Sequence, residues 1–213
     1  MTSNPSSFTA TIPSEIGNLK KLQYLSIPRS GFRGTVPSDF GTGLENLEIL
    51  VLTGNELTGP FPDSVTNLTN LEELFLKENQ FSGPISTDQW AYMGSLPYVE
   101  IYDNRFAGQL PNDIGDLISD RAQTFDIEIN LFSGSIPDSL AEVTTLEYIY
   151  LSKNMFTGTI PENLTASTKL SLHGNNFTGS VPESVCEAVN GRGGEIIYDC
   201  GGPLLCDCNC TCA

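Results

Sequence analysis

Basic side chains are scarce in this sequence. Ten Lys and Arg stand against 26 Asp and Glu, a net charge of -16 over 213 residues. A surface of that sign repels the phosphates of nucleic acids and anionic lipid headgroups, so those partners are excluded. It favours solubility, a monomeric state and a cationic partner. Long apolar runs are missing as well: no stretch approaches the roughly 18 to 20 uninterrupted residues of a membrane-spanning helix. The opening Met1 to Ser7 lacks the basic start and apolar core of a secretory signal, so neither export signal nor anchor is read in the sequence as given. Histidine is reduced to His173, with no nucleophile arrangement beside it. Phosphate-binding loops, paired-acid motifs, kinase sequences and D-x-D-x-D-G calcium loops are also lacking. The expectation is a protein that is not an enzyme and has neither cofactor nor resident metal.

What the sequence has is a repeat. Segments starting at Thr11, Thr35, Pro60, Pro84, Gln109, Ser135, Thr159 and Ser180 follow one another at spacings of 24, 25, 24, 25, 26, 24 and 21 residues. A fixed period in this range marks a solenoid, whose units bury their apolar faces only against one another. In the unit Ser135 to Gly158, the alternation Leu146-x-x-Ile149-x-Leu151 predicts a short strand, with Tyr148, Tyr150 and Ser152 facing away from the buried leucines. Asn154, like Asn55, Asn79, Asn104, Asn130 and Asn175, follows at the turn, where an amide can bond main chain of its own coil and the next. A stack of Phe32, Leu57, Phe81, Phe106, Phe132, Phe156 and Phe177 comes two residues later, then a glycine, then a proline three residues further on in all but one unit.

The assembled pattern L-x-x-L-x-L-x-x-N-x-F-x-G-x-I-P resembles the plant-type leucine-rich repeat of receptor-like proteins and polygalacturonase inhibitors. The resemblance implies an α/β repeat solenoid: a right-handed horseshoe with a concave parallel β-sheet and convex 3-10 or short helical turns. Members are mostly extracellular or cell-surface recognition proteins. The sequence divides into a partial leading repeat over 1–10, seven repeats over 11–179, and a capping repeat with a cysteine-rich tail over 180–213. It begins inside a repeat without the family's cysteine-bearing cap, from which missing upstream sequence is expected. Two units depart from the pattern. In the fourth, Ser86 replaces proline and Thr87 to Met93 predicts a longer, Ser- or Thr-capped helix with Trp90 inward; in the fifth, Ile118 to Gln123 lengthens the convex segment.

All six cysteines lie in the tail: Cys186, Cys200, Cys206, Cys208, Cys210 and Cys212. They predict a disulfide-stapled cap, with Cys186 and Cys200 flanking the last strand as one pair and spacings of four or six for the rest. The rival reading of C-x-C-x-C-x-C is a thiolate cluster for zinc or copper(I). The tail is similar to cysteine-rich ends of algal members, which favours disulfides. Sequons at Asn67, Asn163, Asn176 and Asn209 point to the same compartment, Asn209 being the least accessible.

Read in columns, the outward strand positions offer Tyr24, Tyr98 and Tyr148, then Phe75, Glu100, Asp126 and Tyr150, then Tyr102 and Glu128, with Asp103 beside them. Exposed aromatics serve as interface anchors. Glu100 and Asp126, about 5 Å apart across an unbroken sheet, would repel by roughly 0.8 kcal/mol in water, a cost that a basic partner relieves. These residues predict a concave recognition face for a protein, peptide or glycan ligand. The alternative is a structural or adhesive spacer in a larger receptor-like protein. Ice binding needs a regular threonine array, which the broken column Thr35, Pro60, Pro84, Gln109, Ser135, Thr159 and Ser180 does not supply.

Overall fold

A computed structural model describes residues 10–118, 122–208 and 210–213. Residues 1–9 of the leading partial repeat, 119–121 of the lengthened fifth unit and the sequon residue Asn209 lie outside the described residues. The chain is a solenoid of parallel sheets joined by short helical turns. Each unit contributes a three-residue strand to the concave face because its central side chain is apolar and buried while the two flanking ones point outward. Leu50, Leu74, Ile149 and Leu170 are 0 to 1% exposed at that centre. Tyr24, Ile49, Glu73 and Tyr98 stand in register across the first four strands, and Thr124, Tyr148, Lys169 and Glu195 across the next four.

A second sheet of seven strands runs along the side of the solenoid, from Arg33–Gly34 to Asn176–Phe177, without interruption. Its phenylalanines fill the interior: Phe81 and Phe106 stack with ring centroids 6.0 Å apart, and Phe156 and Phe177 at 6.1 Å. Three of the convex turns are 3-10 helices, Ser14–Asn18, Asp63–Asn67 and Asp138–Glu142, each entered through a proline that presets φ and needs no donor, and two are short α-helices, Phe40–Gly43 and Ile114–Leu117. The helix Thr87–Ser95 is longer. Ser86 caps it reciprocally with Gln89, and Trp90 and Met93 are buried on its inner face.

The asparagine ladder joins coil to coil. Asn104 donates from Nδ2 to the carbonyls of Ile101 and Tyr102 in its own turn, at 3.1 and 3.3 Å, and of Leu76 in the preceding coil at 3.1 Å. Its Oδ1 accepts from Phe81 N at 3.0 Å. Where the first repeat has Ser30 instead, its hydroxyl donates to Pro28 O, and Asn55 accepts from both Ser30 N and Phe32 N.

The residue before each asparagine is left-handed: Glu78, Asp103, Ile129 and Lys153 have φ of 52 to 56°, and Gly54 and Gly174 stand at the same place. Ile129 is the misfit, since a β-branched residue in this region is strained by roughly 1 to 2 kcal/mol. Ile129→Gly is therefore expected to raise stability in urea by about 1 kcal/mol, the relief exceeding the extra chain entropy of glycine. A loss of stability in that titration would show that the half-buried isoleucine packs more than it strains.

At the end of the solenoid, helix Glu183–Gly191 leads into strand Glu195–Tyr198, which pairs with Lys169–Ser171 on one side and with the edge strand Thr211–Cys212 on the other. Three disulfides hold the tail: Cys186–Cys208, Cys200–Cys212 and Cys206–Cys210. The expected Cys186–Cys200 pair is thus corrected. Leu204–Leu205 pairs in parallel with Gly179–Ser180, which folds the tail back under the helix and brings Cys208 to Cys186. Cys200 is left to meet Cys212, whose strand lies beside Glu195–Tyr198. The bridge spaced by four residues, Cys206–Cys210, is present.

Candidate recognition face and cleft

The expected unbroken concave sheet is corrected at one place. Strands Tyr98–Glu100 and Thr124–Asp126 do not pair, so the face divides into a four-stranded and a five-stranded sheet. Elsewhere the ladder is regular, as in Leu76 N to Glu100 O at 2.9 Å and Ile127 N to Tyr150 O at 3.1 Å. Across this seam, bonding resumes only beyond the strands, with Asp103 N to Glu128 O at 3.0 Å and Asn104 N to Ile129 O at 2.9 Å. Glu100 and Asp126 consequently face each other across a gap and not at ladder spacing. The wedge is aromatic. Trp90, on the long helix of the fourth unit, packs against Phe125 at 6.1 Å and Phe132 at 5.8 Å. Phe125 sits where most units have a leucine or isoleucine, and the two rings together hold the coils apart.

The gap opens into a cleft of about 730 Å³. Its floor includes Trp90, Met93, Phe125 and Ile127, and its rim Phe75, Tyr98, Glu100 and Asp126. Of the sequence-predicted face, Tyr98 is 63% exposed and Tyr148 38%, and Tyr148 and Tyr150 lie ring to ring at 6.4 Å. Tyr24 is 56% exposed but stands three strands from Tyr98, with Ile49 and Glu73 between, so it does not join the cluster. Ser152, expected on the open face, is buried because its hydroxyl lies against Glu128, to which it donates at 2.6 Å. Sequence reasoning missed Met93, Phe125 and Ile127 as cleft residues. The readable signals were the 26-residue spacing and a phenylalanine at a leucine position.

The carboxylates have different surroundings. Lys77 Nζ lies 2.5 Å from Glu100 Oε2 and 5.2 Å from the centroid of the Tyr102 ring, so part of the expected acidic repulsion is relieved internally. The contacting oxygen, Glu100 Oε2, is buried, and Lys77 is its charge partner. Asp103 is exposed at its left-handed turn. Asp126 accepts from Glu128 N at 3.1 Å, yet burial, with Glu128 and Glu100 adding repulsion, pushes its carboxyl up to about 7. Burial likewise raises the Tyr150 phenol, with Asp126 beside it.

An acid raised in the folded state binds its proton more tightly there than when unfolded, so stability contributed by Asp126 is present below about pH 4 and lost as pH climbs to about 7. Asp126→Asn should therefore be more stable than the parent near pH 8, by about 2 kcal/mol once water in the open cleft is allowed for. The difference should vanish near pH 4. Denaturation midpoints at both pH values check this, and a gap independent of pH would refute it.

Comparison with known proteins places the chain. A leucine rich repeat family matches residues 20–81, and a second leucine rich repeat family matches 145–166 and 168–188. The chain belongs to the leucine-rich repeat family. This repeat protein is 37% identical over 146 residues to Receptor-like protein 39 of Arabidopsis thaliana, a match covering 68% of the chain and 16% of that relative. It thus spans about one sixth of the length of the curated relatives it matches. Among solved structures it is similar to the plant peptide hormone receptor RGFR1 in complex with RGF2, with 26% identity, TM-score 0.77, and coverage of 96% of the repeat protein and 34% of the receptor. It is also similar to PEPR1 in the PEPR1–AtPEP1 structure, with 32% identity, TM-score 0.75, and coverage of 85% and 26%. The repeat protein has the plant-type solenoid of these chains, and among its described residues no helix is long and apolar enough to cross a membrane.

Proposed function

We propose that this chain is a recognition module of the cell exterior or cell surface, binding a protein or peptide ligand on its concave face around the third to sixth repeats, with no catalytic step. One observation carries the reading: the exposed Tyr98 and the carboxylates of Glu100 and Asp126 line a cleft where the concave sheet is interrupted, with Tyr148 and Tyr150 on the strand beside it. Rigid aromatic anchors lose little conformational entropy on binding, and a desolvated carboxylate gains from a cationic contact. Likeness to RGFR1, a plant peptide hormone receptor solved in complex with RGF2, lends support as likeness alone. The disulfide-stapled tail and the exposed sequon residues Asn67, Asn163 and Asn176 agree with an oxidising compartment.

The test is selection of binders from a peptide display library on the immobilised chain. Replacing Tyr98 and Tyr150 together with alanine is expected to weaken the selected peptides by about 2 kcal/mol, roughly 30-fold. The convex change Asp138→Ala should leave them unaffected. Binders indifferent to the tyrosine pair would remove the concave face from consideration.

A further inference from the structure

We infer that the cleft between strands Tyr98–Glu100 and Thr124–Asp126 is a socket for a partner polypeptide, taking one large apolar side chain into the gap and the Lys or Arg next to it onto the carboxylates of the rim. This rests on the concave-face reading above and narrows it to one position and one ligand chemistry.

The shape excludes a simpler occupant. Strand edges left unpaired invite an added strand. Here, however, the two edges are tied together again at Asp103 N to Glu128 O, a few residues beyond the gap, and a whole strand has no room to continue. A side chain entering end-on meets no such obstacle. The volume, about 730 Å³, lies within the roughly 300 to 1,000 Å³ of ligand pockets, and the floor of Trp90, Met93, Phe125 and Ile127 is apolar.

Two observations point to a peptide and not to a hydrocarbon. Trp90 is only 4% exposed, and its Nε1–H has no acceptor. The bond from Ile101 N to Asp126 O, which would continue the ladder, is not made. A peptide carbonyl brought into the cleft supplies the kind of acceptor that these donors lack. At the rim, Glu100, Asp126 and Glu128 face one positive charge among the described residues, that of Lys77, so the balance of these groups is negative when all are ionised.

The same groups set a pH dependence. Asp126 is faced by Glu128 in its own coil, by Glu100 and Lys77 across the seam, and by Tyr150 on the following strand. Its proton must leave before it can hold a cation at full strength, so binding of the basic residue strengthens as pH rises through the neutral range.

Trp90 is the sole tryptophan of the chain, so its emission reports directly on the socket. The full chain is titrated with the N-acetylated tetrapeptide amides Gly-Leu-Arg-Gly, Gly-Leu-Glu-Gly and Gly-Gly-Arg-Gly. The expected result is a saturable shift of Trp90 emission by the Leu-Arg peptide, at a dissociation constant at least tenfold below those of the other two. It should tighten at least threefold between pH 5.5 and 8, and Asp126→Asn should abolish that tightening. Emission indifferent to all three peptides, or equal binding of the Leu-Glu peptide, overturns the socket. If that happens while display-selected peptides still depend on Tyr98 and Tyr150, the concave-face reading survives without the socket. If the tyrosine pair also has no effect, both fall.

Discussion

Asn104→Ala is expected to lower the unfolding free energy by about 3 to 4 kcal/mol, a large share of what holds a domain of this size folded. The side chain is 7% exposed and makes four hydrogen bonds, all to main chain. Alanine leaves Phe81 N without its acceptor in a place water does not reach, and an orphaned group costs roughly 1 to 3 kcal/mol, while the Leu76 carbonyl loses one of its two bonds and keeps that from Asn79 Nδ2. The bonds also join two coils, and a solenoid is stable only through its neighbour contacts. Asn175 provides the control. It makes the same set of bonds, to Phe156 N and to the carbonyls of Leu151, Leu172 and His173, but it is only part-buried. Water can replace some of what alanine removes there, so Asn175→Ala should cost about half as much. Urea denaturation of both variants decides the matter, and equal losses would show that burial is not what gives the ladder its strength.

Gly94→Ala should cost about 3 kcal/mol, although alanine is the better helix former by roughly 1 kcal/mol. Gly94 lies in helix Thr87–Ser95, and a Cβ built on it would stand 1.6 Å from the Leu117 carbonyl oxygen and 2.7 Å from its carbon. Both are backbone atoms and cannot swing aside. Gly191, in helix Glu183–Gly191, has no atom within 4 Å of its would-be Cβ. Gly191→Ala should therefore stabilise by up to about 1 kcal/mol through helix propensity alone. Opposite signs for the two substitutions in a thermal melt are the expected outcome. A neutral Gly94→Ala would mean that the convex turns separate easily.

Much of this architecture could be read from the sequence because each repeat restates it. The buried strand centres, the asparagine bonds, the phenylalanine interior and the capped helix with Trp90 inside all follow from residue type at a fixed offset. The seam does not, since each of its strands is regular on its own. It arises where Trp90 and Phe125 meet, and that sum of volumes across two coils has no periodic signature. The Lys77–Glu100 pair was hidden for a related reason: it joins two positions in different columns of adjacent strands. The left-handed turn was announced only by Gly54 and Gly174, the other units using Arg, Glu, Asp, Ile or Lys there. The disulfide pairing escaped because the path of the tail depends on a two-residue strand, Leu204–Leu205, outside the repeat pattern.

The lateral sheet continues through the seam that interrupts the concave one. Arg105–Gln109 pairs with both Gln80–Pro84 and Leu131–Gly134, in contact with no break on that side. Mechanically, the solenoid is a beam whose layers are bonded all along one flank and notched once on another. Elastic strain in such a beam gathers at the notch while the bonded flank acts as a leaf spring. Bending of the two arms is therefore expected to alter the width of the cleft more than any other internal distance, so that an occupant wedged there stiffens the whole curve and tension applied at the ends loosens its grip.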